Sequence, residues 1–133
     1  MAGTSKSAAA SIAGGAGPPT SDPIDRRYLA RFTLDNTDLE REVLELFAGQ
    51  MPLYLTQLRA SATAKAWKEA AHTIKGSAAA VGAFRLARMA ELAEKIVVEH
   101  RGTPGNAREN AVTAVAEAIE EACRHIARLF PKA

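Results

Sequence analysis

Apolar side chains recur every three or four positions from residue 24 onward, and nowhere do they alternate strictly with polar ones. That period belongs to helix rather than strand. Ala, Leu, Glu, Lys and Arg dominate the same stretch and favour helix again, and only Ile96-Val97-Val98 groups β-branched residues. A short helix is predicted over 24–32, capped by Asp22 with Pro23 at its first position. Its Ile24, Tyr28, Leu29 and Phe32 are expected to lie over the end of a helical bundle. A long helix starts at Asn36 or Thr37, where Thr37-Asp38-Leu39-Glu40 fits a capping box. Leu39, Val43, Leu46, Phe47, Leu53 and Tyr54 form its predicted stripe, with the polar Gln50 inside it. Gly49 and Pro52 fall off the stripe, so one kinked helix is expected rather than two.

A turn at 61–63 leads to a helix over 63–81, for which Gly82 is placed as a left-handed stop. The next helix, 84–100, puts Leu86, Met89, Ala90, Ala93, Ile96 and Val97 on one face. The breaker Gly102-Thr103-Pro104-Gly105 precedes a last helix, 106–130, whose Val112, Val115, Ile119, Cys123, Ile126 and Phe130 point inward and which Pro131 ends. Four amphipathic helices on short turns bury their stripes by running antiparallel. The predicted fold is all-α: an up-down-up-down antiparallel four-helix bundle with a short additional N-terminal helix. Residues 1–22, rich in Ala, Gly, Ser and Pro, have too little apolar surface to offset ordering and are expected to be a disordered tail before a single domain at 23–133.

Composition narrows the class. A net charge of +2 in 133 residues is too mild to imply nucleic acid, and no run of 18 apolar residues exists to span a membrane. One cysteine excludes an internal disulfide and suits a reducing compartment; with no apolar leader, a cytoplasmic protein is expected. No two histidines stand at i,i+3 or i,i+4, and HExxH, CxxC and Gly-rich nucleotide loops are absent, so neither a metal site nor kinase activity of its own is expected.

The chemistry concentrates in Ala71-His72-Thr73-Ile74-Lys75-Gly76-Ser77. A glycine inside a helix costs about 1 kcal/mol relative to alanine, so Gly76 needs a reason. With Trp67 at the origin of a helical wheel, Thr63, Ala70, Ala71, Ile74, Ala78 and Val81 fall within about 60° of it, and His72 comes out at about 140°. His72 therefore faces solvent, with Gly76 and Ala79 as small neighbours and Lys68 and Glu69 on the wet side. Lys75, one turn on, is near enough to place its ammonium beside a group carried on the imidazole. Between residues 64 and 101 seven Lys/Arg (65, 68, 75, 85, 88, 95, 101) stand against four Glu (69, 91, 94, 99), a surface that steers an acidic partner. Glu69 is the one carboxylate expected near His72. Of the other histidines, His100 is read as a boundary residue of its helix and His125 as a cation near a helix end. Cys123 and Trp67 are read as core.

His72-Thr73-Ile74-Lys75-Gly76-Ser77-Ala78, followed by Val81-Gly82-Ala83, resembles the signature of histidine-containing phosphotransfer (HPt) domains, and the likeness extends over about residues 24–130. Pro52 in the helix before the site departs from the pattern. The resemblance implies that His72 is a phosphoacceptor and Lys75 stabilises the phosphate, with Gly76 admitting the partner. Lys68, Glu69 and Ala79 join Gly76 as expected docking residues, while Ser77 is read as packing. It implies a relay from the receiver domain of a hybrid histidine kinase to a response regulator, Mg²⁺ residing on the receiver and no cofactor on this chain. The protein is expected to be a monomer. Two other readings stay open: a non-catalytic HPt-like adaptor that docks receivers, and the phosphoacceptor module of a chemotaxis-type kinase.

Overall fold

The computed structural model describes residues 22–96 and 106–131, and every regular element among them is helical: α1 (Arg26–Thr33), α2 (Thr37–Ala60), α3 (Ala64–Ala80), α4 (Phe84–Glu94) and α5 (Ala107–Leu129). The predicted tail up to residue 21, His100 and the 102–105 breaker lie outside the described residues. No helix among those described is long and apolar enough to cross a membrane.

Three starts are set by side-chain caps. Asp25 accepts from the Tyr28 amide, Asn36 from Leu39 and Thr63 from Ala66, each satisfying an N–H the helix leaves unpaired. Two of these correct the sequence reading. Asp25 replaces Asp22 as the α1 cap, because its own N–H is tied to the Gly82 carbonyl at 2.9 Å. Asn36 rather than Thr37 caps α2, which leaves Glu40 free to turn inward and accept from Arg26. α4 ends at Glu94, with Lys95 and Ile96 outside the helix; the rest of its predicted span, 97–100, lies outside the described residues. Gly82 is the left-handed stop expected of it, at φ +82°.

The core joins Leu44, Met51 and Leu58 of α2, Trp67 and Ile74 of α3, Leu86 and Ala90 of α4, and Val115 and Ile126 of α5. Of the predicted α2 stripe, Phe47 is buried and Val43 and Tyr54 pack against the core, but Leu39, Leu46 and Leu53 are exposed, and Leu44, Met51 and Leu58 are fully buried instead. α2 is one continuous helix despite Pro52. Proline has no N–H to give the carbonyl four residues back, that of Ala48; the Cys123 thiol from α5 points at this oxygen, Sγ to O 3.8 Å.

α3 packs on α2 and α4, α5 on α4 and α2, and α1 on α2. At one end Arg108, starting α5, donates to the Arg59 and Ser61 carbonyls that close α2 and lies 4.8 Å over the Trp67 ring. Trp67 in turn donates to the Ala93 carbonyl at 2.8 Å, near the end of α4. At the other end Tyr28 of α1 meets Phe84 of α4 edge-on, and Arg26 lies over Phe130.

Candidate functional site

Burial of Trp67, Ala71, Ile74 and Ala78 fixes the rotation of α3 and sends His72 outward, its side chain 67% exposed. The chain then doubles back through Val81-Gly82-Ala83, with the Ala83 amide on the Ala78 carbonyl at 2.8 Å. A turn this tight sets the register of α4 against α3. His72 lies eleven residues before Ala83 and Glu94 eleven after, and the two side chains meet: His72 Nδ1 to Glu94 Oε2 is 3.1 Å. The second carboxylate oxygen takes Lys75 Nζ at 3.2 Å.

The expectation that Glu69 is the nearest carboxylate is therefore wrong. Glu69 stands three residues before His72 on α3, but the carboxylate that bonds the imidazole is that of Glu94. Glu94 was invisible to single-helix reasoning because it comes from the neighbouring helix; its equal distance from Ala83 was the signal that would have found it.

A carboxylate only accepts, so Nδ1 is the imidazole nitrogen that carries the proton and donates to Glu94. The lone pair is left on Nε2, the nitrogen directed away from Glu94. Burial pushes the Glu94 carboxyl up, but the hydrogen bonds and charges of Lys75 and then His72 outweigh it and hold the group below its usual range. A folded-state pKa that is lowered gives stability present above the unfolded value of 4.5 and lost as pH falls through the folded one. The difference in urea midpoint between wild type and Glu94→Gln is thus expected to be full above about pH 5 and to vanish on further acidification.

Around this pair, Lys68, Lys75, Lys95, Glu91, Glu94 and Ile96 line a groove between α3 and α4. The positive excess predicted for 64–101 is divided: Arg85 turns to Glu121 of α5 at 2.9 Å, and Arg88 pairs with Glu91. Lys68 is in the groove, Ala79 is half-buried and Gly76 is exposed. A Cβ built on Gly76 meets nothing within 4 Å, so packing inside this chain does not require glycine there. Burial pushes the Cys123 thiol up, which makes it a poor nucleophile.

The sequence model of one family, the Hpt domain, matches residues 42–128. The chain belongs to the Hpt-domain family, whose members carry out histidine phosphotransfer in phosphorelays and interact with receiver domains. Neither a curated protein nor a solved structure matches it significantly.

Proposed function

We propose that this protein takes a phosphoryl group from the aspartate of a hybrid kinase's receiver domain onto His72 and delivers it to the aspartate of a response regulator. The observation that carries this reading is the Glu94 carboxylate held between His72 Nδ1 and Lys75 Nζ, inside the region matched as an Hpt domain. Nε2 attacks phosphorus, the bond from phosphorus to the aspartyl oxygen breaks, and the aspartate leaves as a carboxylate. The ring then carries the phosphoryl group on Nε2 and keeps its proton on Nδ1, and Glu94 balances the positive charge that results. Lys75 exchanges Glu94 for a phosphoryl oxygen. The second transfer reverses these steps on another receiver.

Mg²⁺ and the acidic cluster belong to the receiver, and the cytoplasm is the compartment. The four long helices are read as an up-down-up-down antiparallel bundle to which α1 is added. The meeting of the start of α5 with the end of α2 and the start of α3 supports that order.

The test is to incubate the protein with phosphorylated receivers and Mg²⁺ and map the phosphate. An acid-labile, base-stable phosphate on His72 is expected; phosphate on another residue, or none from a broad panel of receivers, sinks the proposal. Gly76→Gln probes docking separately. The substitution adds helix propensity worth about 0.5 kcal/mol, yet it is expected to slow transfer at limiting receiver roughly tenfold, equivalent to ~1.4 kcal/mol of lost docking.

A further inference from the structure

α2 turns a row of leucines to solvent. Leu39, Leu46 and Leu53 are 40%, 63% and 63% exposed and stand seven residues apart, so they lie along one line of the helix. Gly49 is exposed on the same side, with nothing within 4 Å of a Cβ built on it. At 100° per residue Glu42, Leu46, Gly49, Leu53 and Ala60 fall within about 60° of one another. A glycine weakens the middle of a helix, and no contact among the described residues accounts for this one. Folding explains neither the leucine row nor the gap beside it.

The row lies apart from the phosphoacceptor. α3 and α5 each pack on both α2 and α4, which puts α2 and α4 at opposite corners of the fold. His72 leans toward α4, where it meets Glu94. The outer face of α2 is therefore free to be covered while His72 stays open.

We infer that this face is a reversible homodimer interface, α2 of one copy packing antiparallel on α2 of a second across Gly49, in place of the monomer expected from the sequence. A two-fold axis beside Gly49 sets Leu46 of each copy against Leu53 of the other, and Leu39 near the exposed Ala60. Glycine at the axis lets the two backbones close up where a larger residue would hold them apart. Charge selects the direction. Asp38 and Glu42 are exposed in the first half of α2, where Arg41 is taken by Glu45, and Arg59 is exposed at its end. Parallel helices would set Glu42 on Glu42. Antiparallel ones bring the acidic start of each helix beside Gln57 and Arg59 of the other, with the helix dipoles opposed.

Other occupants fit worse. Residues 1–21 carry only Met1 and Ile12 as large apolar side chains, too few to cover three leucines. A lipid surface favours lysine and arginine around an apolar row, whereas Glu42 stands within this one. Size sets the strength. α2 has 24 residues, about 36 Å, and a helix about 10 Å across offers on the order of 400 Å² per copy. That is about half a standard interface, so monomer and dimer exchange with concentration. Pairing on α2 does not depend on what supplies a phosphoryl group to His72.

Sedimentation equilibrium of the full chain from about 1 μM to about 1 mM is expected to show monomer and dimer in equilibrium. Leu46→Glu together with Leu53→Glu should weaken association at least tenfold. Circular dichroism and melting of a dilute sample should not change, because both side chains replaced are exposed. Gly49→Gln is the second variant: it strengthens the helix and blocks the close approach, so it too should weaken the dimer. Direction is read by mild oxidation in a Cys123→Ser chain. Gly49→Cys should yield a linked dimer and Thr37→Cys should not, since antiparallel packing holds the two copies of residue 37 far beyond the about 7 Å a disulfide spans. A wild type monomeric throughout, variants that associate as wild type does, or linkage through Thr37→Cys instead of Gly49→Cys overturns the interface. If the wild type stays monomeric and the double variant loses transfer from receivers, the leucines belong to a receiver instead.

Discussion

His72→Gln is expected to reduce phosphate acquired from a phosphorylated receiver to background while the protein stays folded. Glutamine is close in size and polar, and Lys75 keeps Glu94 through the carboxylate oxygen that His72 does not bind. The side chain replaced is 67% exposed, and surface changes of this kind shift stability by about 0.5 kcal/mol or less. What glutamine lacks is a nucleophilic nitrogen, since its amide lone pair is delocalised into the carbonyl. The loss is therefore one of chemistry, and circular dichroism with a urea titration should show a fold matching wild type. Residual acid-labile phosphate at the wild-type rate would place the acceptor elsewhere; a collapsed fold would show that His72 holds the structure.

Gly82→Ala is expected to destabilise the fold more than the same substitution at Gly49 or Gly76, the other glycines among the described residues. The residue sits at φ +82°, where alanine costs about 1–2 kcal/mol. Its Cβ would also stand 2.8 Å from the Asp25 carbonyl oxygen and 3.3 Å from the Asp25 amide. Both are backbone atoms, and that amide donates to the Gly82 carbonyl, so the stretch of chain entering α1 must move. The combined cost is about 3 kcal/mol, on the order of 10 °C in melting temperature. Gly49→Ala is the control: it is helical with open space around its Cβ, so the same methyl should stabilise by about 1 kcal/mol. Equal effects at the two positions would refute the account of the turn.

The contrast between α2 and α3 shows how far periodicity reaches. α3 carries one apolar row, begun by a tryptophan and continued by Ala71, Ile74 and Ala78, so a wheel places it and sends His72 outward. α2 carries two rows at seven-residue spacing, Leu39-Leu46-Leu53 and Leu44-Met51-Leu58, about 140° apart. Periodicity cannot choose between them. The deciding fact is tertiary: Glu40, a charged residue at the head of the second row, is buried on Arg26 of α1. Glu94 was missed for the same reason. Its meeting with His72 is a property of two helices and the turn between them, and no window on either helix contains it. The helix starts were legible to within about two residues because caps are local.

That turn has one more consequence. His72 and Glu94 meet because each is the same number of residues from Ala83. Inserting one residue between Gly82 and Ala83 would leave every side chain of the site intact and turn α4 by about 100° against α3, taking Glu94 off His72. The pairing is thus a matter of count as well as composition. Among natural sequences, a lengthened or shortened turn should be accompanied by a carboxylate displaced along the next helix by a compensating number of positions.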